Sequence, residues 1–134
     1  TECSITCFLV IGWLDRNSLG LIHPMRFVFA LIFIGIGSIV FLWALRTLSL
    51  STSLGVQGKL ITEGPYRYSR NPQYVAMVVF FSGMLLLFNS VFALITGSIG
   101  ILWFLLLPFV EEPWLQAQFV DEYREYCAQI PRFI

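Results

Sequence analysis

Apolar residues gather into four stretches along the chain, parted by residues 15–26, 46–71 and 89–90 and followed by a polar tail. The clearest stretch is residues 27–45, nineteen uncharged positions bracketed by Arg26 and Arg46. As a helix it rises about 28 Å, close to the hydrocarbon thickness of a bilayer. The bracketing arginines can run their side chains to the two interfaces. Residues 72–88 and 91–110 form two more stretches, parted only by Asn89-Ser90. So short a polar break predicts a tight helical hairpin. Asn71-Pro72 suits a helix start, with Asn as N-cap and Pro at the first helical position. The remaining stretch, residues 5–14, crosses a bilayer only if residues 1–4 or residues further upstream extend it. The chain begins at Thr1 without a basic start or a small-residue cleavage site, so no signal peptide is expected. The missing initiator Met points to a trimmed or partial chain.

The pattern therefore predicts an all-α integral membrane protein of about four transmembrane helices. Residues 1–45 hold the first two and residues 72–110 the hairpin. Residues 46–71 form a connector rich in Ser, Gly and Tyr. Residues 111–134 form a tail in which Leu115, Phe119, Tyr123, Tyr126 and Ile130 recur at steps of three and four. That spacing predicts an amphipathic helix, opened by Pro113 and ended by Pro131. Gly35, Gly37, Ser38, Gly83, Gly97, Ser98 and Gly100 would let helix backbones approach closely.

Composition supports this reading. Of 134 residues, 57% are apolar and 12% charged, against roughly 45–50% and 25% in soluble proteins. A soluble domain of this length is mostly surface and could not hide so much apolar area. Net charge is zero and no basic face is present, which argues against nucleic acid as a partner. Cys3, Cys7 and Cys127 do not make a disulfide framework and read as small packing residues. One histidine, His23, leaves no zinc site of the usual kind; it reads as a loop residue, and no metal is expected. With four crossings, Arg46, Lys59, Arg67, Arg70, Arg124 and Arg132 share one side, against Arg16 and Arg26 on the other. That bias puts connector and tail in the cytoplasm.

Candidate chemistry lies where connector and tail meet the membrane. The connector ends in Gly64-Pro65-Tyr66-Arg67-Tyr68-Ser69-Arg70-Asn71-Pro72-Gln73-Tyr74. Arginines there suit a carboxylate, and tyrosines suit a purine or a sulfonium. The same composition also describes an interfacial belt with no ligand. Glu111-Glu112 follows the fourth stretch directly. Two carboxylates at a membrane boundary are costly unless paired or wet. Arg67 and Arg70 are candidate partners, and a ligand's ammonium or ribose hydroxyl is the other. No dinucleotide, Walker or nucleophile-elbow motif occurs. The alternating strands and helices of a soluble Rossmann methyltransferase are missing.

The connector motif, the hairpin, Glu-Glu-Pro-Trp-Leu, Phe119, Glu122-Tyr123, Tyr126 and Ile130-Pro131-Arg132 together resemble one superfamily. It is the isoprenylcysteine carboxyl methyltransferase and phospholipid methyltransferase superfamily of membrane enzymes. The resemblance covers about residues 60–134. It implies an S-adenosyl-L-methionine pocket at the cytoplasmic interface and a lipophilic acceptor arriving from the bilayer. It implicates Gly64, Pro65 and Tyr66 at the pocket entrance, and Arg70, Asn71, Pro72 and Tyr74 in the family's Arg-His-Pro-x-Tyr motif. It also implicates the acidic pair Glu111 and Glu112, with Tyr123, Tyr126 and Arg132 in the tail. Asn71 stands where many members have His, so a catalytic imidazole is not available. Ala76 and Val120 stand where the family commonly has Gly.

On this resemblance, Arg70 and Arg132 orient an anionic group of acceptor or cofactor. Glu112, helped by Glu111, binds ammonium or ribose, and Tyr66 and Tyr74 pack beside adenine or sulfonium. Methyl transfer needs alignment and exclusion of water more than acid–base chemistry. A carboxylate or thiolate acceptor needs no general base. Two other classes fit the same pattern: a membrane reductase binding NADPH, and a non-enzymatic scaffold binding neither cofactor.

Overall fold

A computed structural model describes residues 2–20, 24–53 and 60–133, with side chains described for 5–20, 24–48 and 60–133. His23, Lys59 and the Cys3 side chain lie outside the described residues. Five α-helices and no strand occur among those described: α1 (Glu2–Leu14), α2 (Met25–Ser53), α3 (Pro72–Phe88), α4 (Val91–Gln118) and α5 (Val120–Gln129). Among the described residues of the connector, Gly64–Arg67 forms a 3₁₀ turn. Helices α2 and α4 are long and apolar enough to cross a membrane, over Met25–Leu48 and Val91–Gln118. Only 17% of each apolar window is buried within the protein. Such helices turn their side chains outward and are unlike the core helix of a soluble domain. The apolar parts of α1 and α3 are shorter; α3, with 17 residues, rises about 25 Å.

Two boundaries differ from the hydropathy pattern. Helix α2 runs past Arg46 to Ser53, because no Gly or Pro interrupts the polar stretch that follows. Helix α4 runs past residue 110 to Gln118, with Pro108 and Pro113 inside it. Pro113 therefore does not open the tail helix. Its ring removes one backbone donor, which bends a helix without always ending it. The break comes at Phe119, whose φ of −121° and ψ of 39° leave the helical region. Only residues 120–129 form the separate amphipathic helix.

Small residues set the α2–α3 crossing. Ala30, Gly37 and Ala44 of α2 are buried and recur every seven positions, as do Ala76 and Gly83 of α3. A Cβ on Gly37 would stand 2.7 Å from the Phe80 nitrogen, and one on Gly83 would stand 2.9 Å from the Ala30 carbonyl oxygen. The antiparallel backbones thus touch where side chains would hold them apart. Gly97 likewise lies against Leu85, whereas Gly35 and Gly100 face open space. Phe8 of α1 packs on Phe81 and Phe88 of α3, with ring centroids 5.2 and 5.8 Å apart. Met84 and Ala93 complete that core.

The hairpin turn is fastened by the α1–α2 loop. Asn89 takes the left-handed conformation that closes α3. Ser90 caps α4, its hydroxyl accepting from the Ala93 amide at 3.0 Å. The Asp15 carboxylate accepts from the Ser90 hydroxyl and from the Phe92 amide. Its pKa is lowered below the usual carboxylate value, first by Ser90 and then by Ser18. This polar knot closes one end of the bundle, and the connector and tail meet at the other.

Candidate functional site

The connector is shaped before it meets the tail. Gly64 sits at φ +60°, and a Cβ there would stand 2.7 Å from the Thr47 hydroxyl of α2. Positive φ and close approach both require glycine at this turn. Pro65 and Tyr66 are buried behind it. Asn71 and Pro72 open α3 in the expected positions, but the Asn71 side chain makes no cap bond. Its amide Nδ2 donates to the Arg132 carbonyl at 3.1 Å, joining connector to tail. Ser69 hydroxyl and Arg70 amide donate to Arg132 and Pro131 carbonyls in the same way.

Three pairings bring all the predicted site residues to this end. Glu112 is 7% exposed and accepts from Arg132 Nε at 2.8 Å and Nη2 at 2.6 Å. Arg70 Nη1 lies 3.1 Å from the same carboxylate and also donates to Cys127 Sγ at 2.8 Å. One carboxylate thus clasps two guanidinium groups, the bidentate geometry being the strong form of this contact. Of the two expected cationic partners, Arg70 takes the role. Arg67 lies over the Tyr68 ring at 5.4 Å instead. Glu111 accepts from the Tyr74 hydroxyl at 2.5 Å and forms no ion pair among the described residues. The Tyr126 hydroxyl donates to the Tyr66 carbonyl at 2.6 Å.

Burial keeps the phenols protonated. Tyr66 is pushed up to about 12 by desolvation, with the charge of Glu111 adding to it. Tyr123 is pushed up to about 12 by desolvation, then by Glu112 and Cys127. Tyr126 is raised for the same first reason, with Tyr123 next. At neutral pH these side chains are hydrogen-bond donors and not bases. Arg132 is held more firmly protonated by its bonds to Glu112.

A cavity of ≈ 450 Å³ lies beside the clasp, lined by Arg67, Glu122, Glu125, Tyr126, Gln129 and Ile130 among others. Its size is that of a small-molecule site. Of the predicted site residues, only Tyr126 is among those that line it. Arg67, Glu122 and Glu125 were not among those residues. The spacing of Glu122, Glu125 and Gln129 on α5, at steps of three and four, places them on one helix face.

The phospholipid methyltransferase family model matches residues 25–122, more than half of the chain. No curated protein and no solved structure matches it. The match spans α2, the connector, α3, α4 and the start of α5, and so includes Arg70 and Glu112 of the clasp and Arg67 and Glu122 of the cavity, while Arg132 lies beyond it. This chain belongs to the phospholipid methyltransferase family of membrane proteins, within the superfamily that its motifs resemble.

Proposed function

We propose that the chain is an S-adenosyl-L-methionine-dependent methyltransferase. It acts at the cytoplasmic membrane interface on a lipophilic or small acceptor bearing a carboxylate, thiol or amine. The observation that carries the proposal is the Glu112 clasp, which draws connector and tail together beside a ligand-sized cavity. The chemistry of that cavity fits the cofactor. Arg67 suits a carboxylate, and Glu122 and Glu125 suit an ammonium and ribose hydroxyls. Tyr126, Leu60 and Ile130 suit a flat base. All four apolar helices cross the membrane in this reading. The ends of α3 support that, since Asn89 lies at the Asp15 knot and Tyr74 at Glu111.

Bound S-adenosylmethionine would supply an electrophilic methyl group on a sulfonium. The protein's share is to bind, orient and exclude water. In this reading Gly64, Pro65, Tyr66, Asn71, Pro72 and Tyr123 hold connector and tail in place around the pocket without lining it. Arg70 and Arg132, with their charge taken up by Glu112, hold that frame closed and orient anionic groups only from behind it. Glu111 keeps a carboxylate free for an ammonium, with Tyr74 fixing its direction. The cytoplasmic placement of this end is supported by the bias of Arg and Lys between the loops.

Titration calorimetry in detergent with S-adenosylhomocysteine tests the reading. The unaltered chain binds, and Arg67→Ala and Glu122→Gln weaken binding by about tenfold, as expected for one charged contact. Glu112→Ala and Arg70→Ala also weaken it by loosening the frame. Binding unchanged in all four variants, or binding of NADPH in place of S-adenosylhomocysteine, overturns the assignment.

A further inference from the structure

A second cavity, of ≈ 540 Å³, lies within the apolar part of the protein. It runs between α1 and α4, over Phe81 of α3. Ile5 and Ile11 stand on one side, Ile99 and Trp103 on the other, and Phe104 is the lining residue of α4 nearest Glu111. Only Cys7, Thr96 and Trp103 among its lining side chains carry a polar atom, and the Trp103 indole offers a single N–H donor. The Thr96 hydroxyl is already spent, donating to the Phe92 carbonyl at 2.8 Å. The groove therefore has no charged group and little to hold a polar headgroup, and hydrocarbon is its chemical complement. Ile5, Ile99 and Trp103 are exposed on the lipid-facing surface beside it.

Two observations indicate what enters. The first is continuity with the candidate site. The Phe104 ring stacks on Tyr74 at 6.3 Å, and the Tyr74 hydroxyl donates to Glu111. Along α4, Phe104 lies about 10 Å and Thr96 about 22 Å from the level of Glu111 at the usual helical rise. A molecule with its head at Glu111 and its tail along α4 meets this groove.

The second is Gly100. A Cβ there meets nothing within 4 Å, whereas one on Gly97 would stand 2.6 Å from Leu85. Helix packing explains Gly97. It does not explain Gly100, which faces groove space that no atom of the described residues fills.

We infer that this groove receives one hydrocarbon chain of the methyl acceptor, and that Gly100 sets the width available to it. The identity of the occupant rests on the methyltransferase reading, but occupancy can be measured without turnover.

The full chain is placed in phosphatidylcholine nanodiscs with a phospholipid carrying a mid-chain diazirine. Photo-adducts are mapped by mass spectrometry in three proteins: unaltered, Gly100→Leu and Gly35→Leu. Gly35 also faces open space but lies on α2, so it controls for added bulk. Adducts should concentrate on Ile5, Ile11, Ile99 and Trp103. They should fall by about tenfold in Gly100→Leu, as for overfilling an apolar pocket, and stay unchanged in Gly35→Leu. Labelling of Leu31 and Ile39 as strong as that of the groove would mean annular lipid only and overturns the inference. So would equal labelling in Gly100→Leu. S-adenosylhomocysteine binding is read on the same samples. Groove labelling without cofactor binding sinks the cofactor reading alone, and cofactor binding without groove labelling sinks the groove alone.

Discussion

Replacing Glu112 by alanine removes the one acceptor that Arg70 and Arg132 share. The Arg70 side chain is 13% exposed and that of Arg132 32% exposed. Arg70 Nε is already a buried donor without a partner among the described residues, so Arg70 has little to turn to. Arg132 can rehydrate. Breaking a buried ion pair by removing one partner costs about 3–5 kcal/mol. The access of Arg132 to water puts this case near the lower end, at about 3 kcal/mol. For a chain of this length that corresponds to a fall in Tm of about 10 °C. Arg132→Ala removes two charge-assisted bonds but leaves Glu112 facing Arg70 at 3.1 Å, so it should cost less, about 2 kcal/mol. Thermal unfolding in detergent ranks the two variants. Limited proteolysis adds a local reading, because a loosened tail should be cut within residues 120–133 well below Tm. An unchanged Tm for Glu112→Ala, or a larger loss for Arg132→Ala, refutes the reasoning.

Gly37→Ala should destabilise by about 1–3 kcal/mol, since the added Cβ meets backbone that cannot move alone. Gly35→Ala should be neutral or slightly stabilising; equal Tm values for the two would remove the close crossing from the account. Tyr66 and Tyr123, both pushed up to about 12, should ionise later than free phenols in a spectrophotometric titration. Their folded values lie above the ordinary value near 10, so the stability they contribute is whole below pH 10. It is lost as pH rises through about 12. Titration of every tyrosine near 10 in the folded protein would contradict the burial described for them.

Helix identity was legible because it is a local property. The hydropathy pattern predicts residues 72–88 as a helix, and the structure has Pro72–Phe88. Both ends carry short-range signals there, Asn71-Pro72 at the start and Asn89-Ser90 at the turn. Where those signals were weak, boundaries moved: α2 ran on to Ser53, and α4 ran through Pro113 to Gln118. The motifs around Arg70, Glu112 and Arg132 also indicated, through their resemblance, that connector and tail belong together. Pairing is different, because it depends on distance between residues far apart in the chain. The residue string offered Glu112 both Arg67 and Arg70, and only the tertiary structure gave the carboxylate to Arg70 and Arg132 and turned Arg67 to the cavity. Likewise Gly37 and Gly100 look alike in sequence. One touches a neighbouring backbone and the other faces a groove, since what stands opposite a small residue is decided by the helix packed across from it.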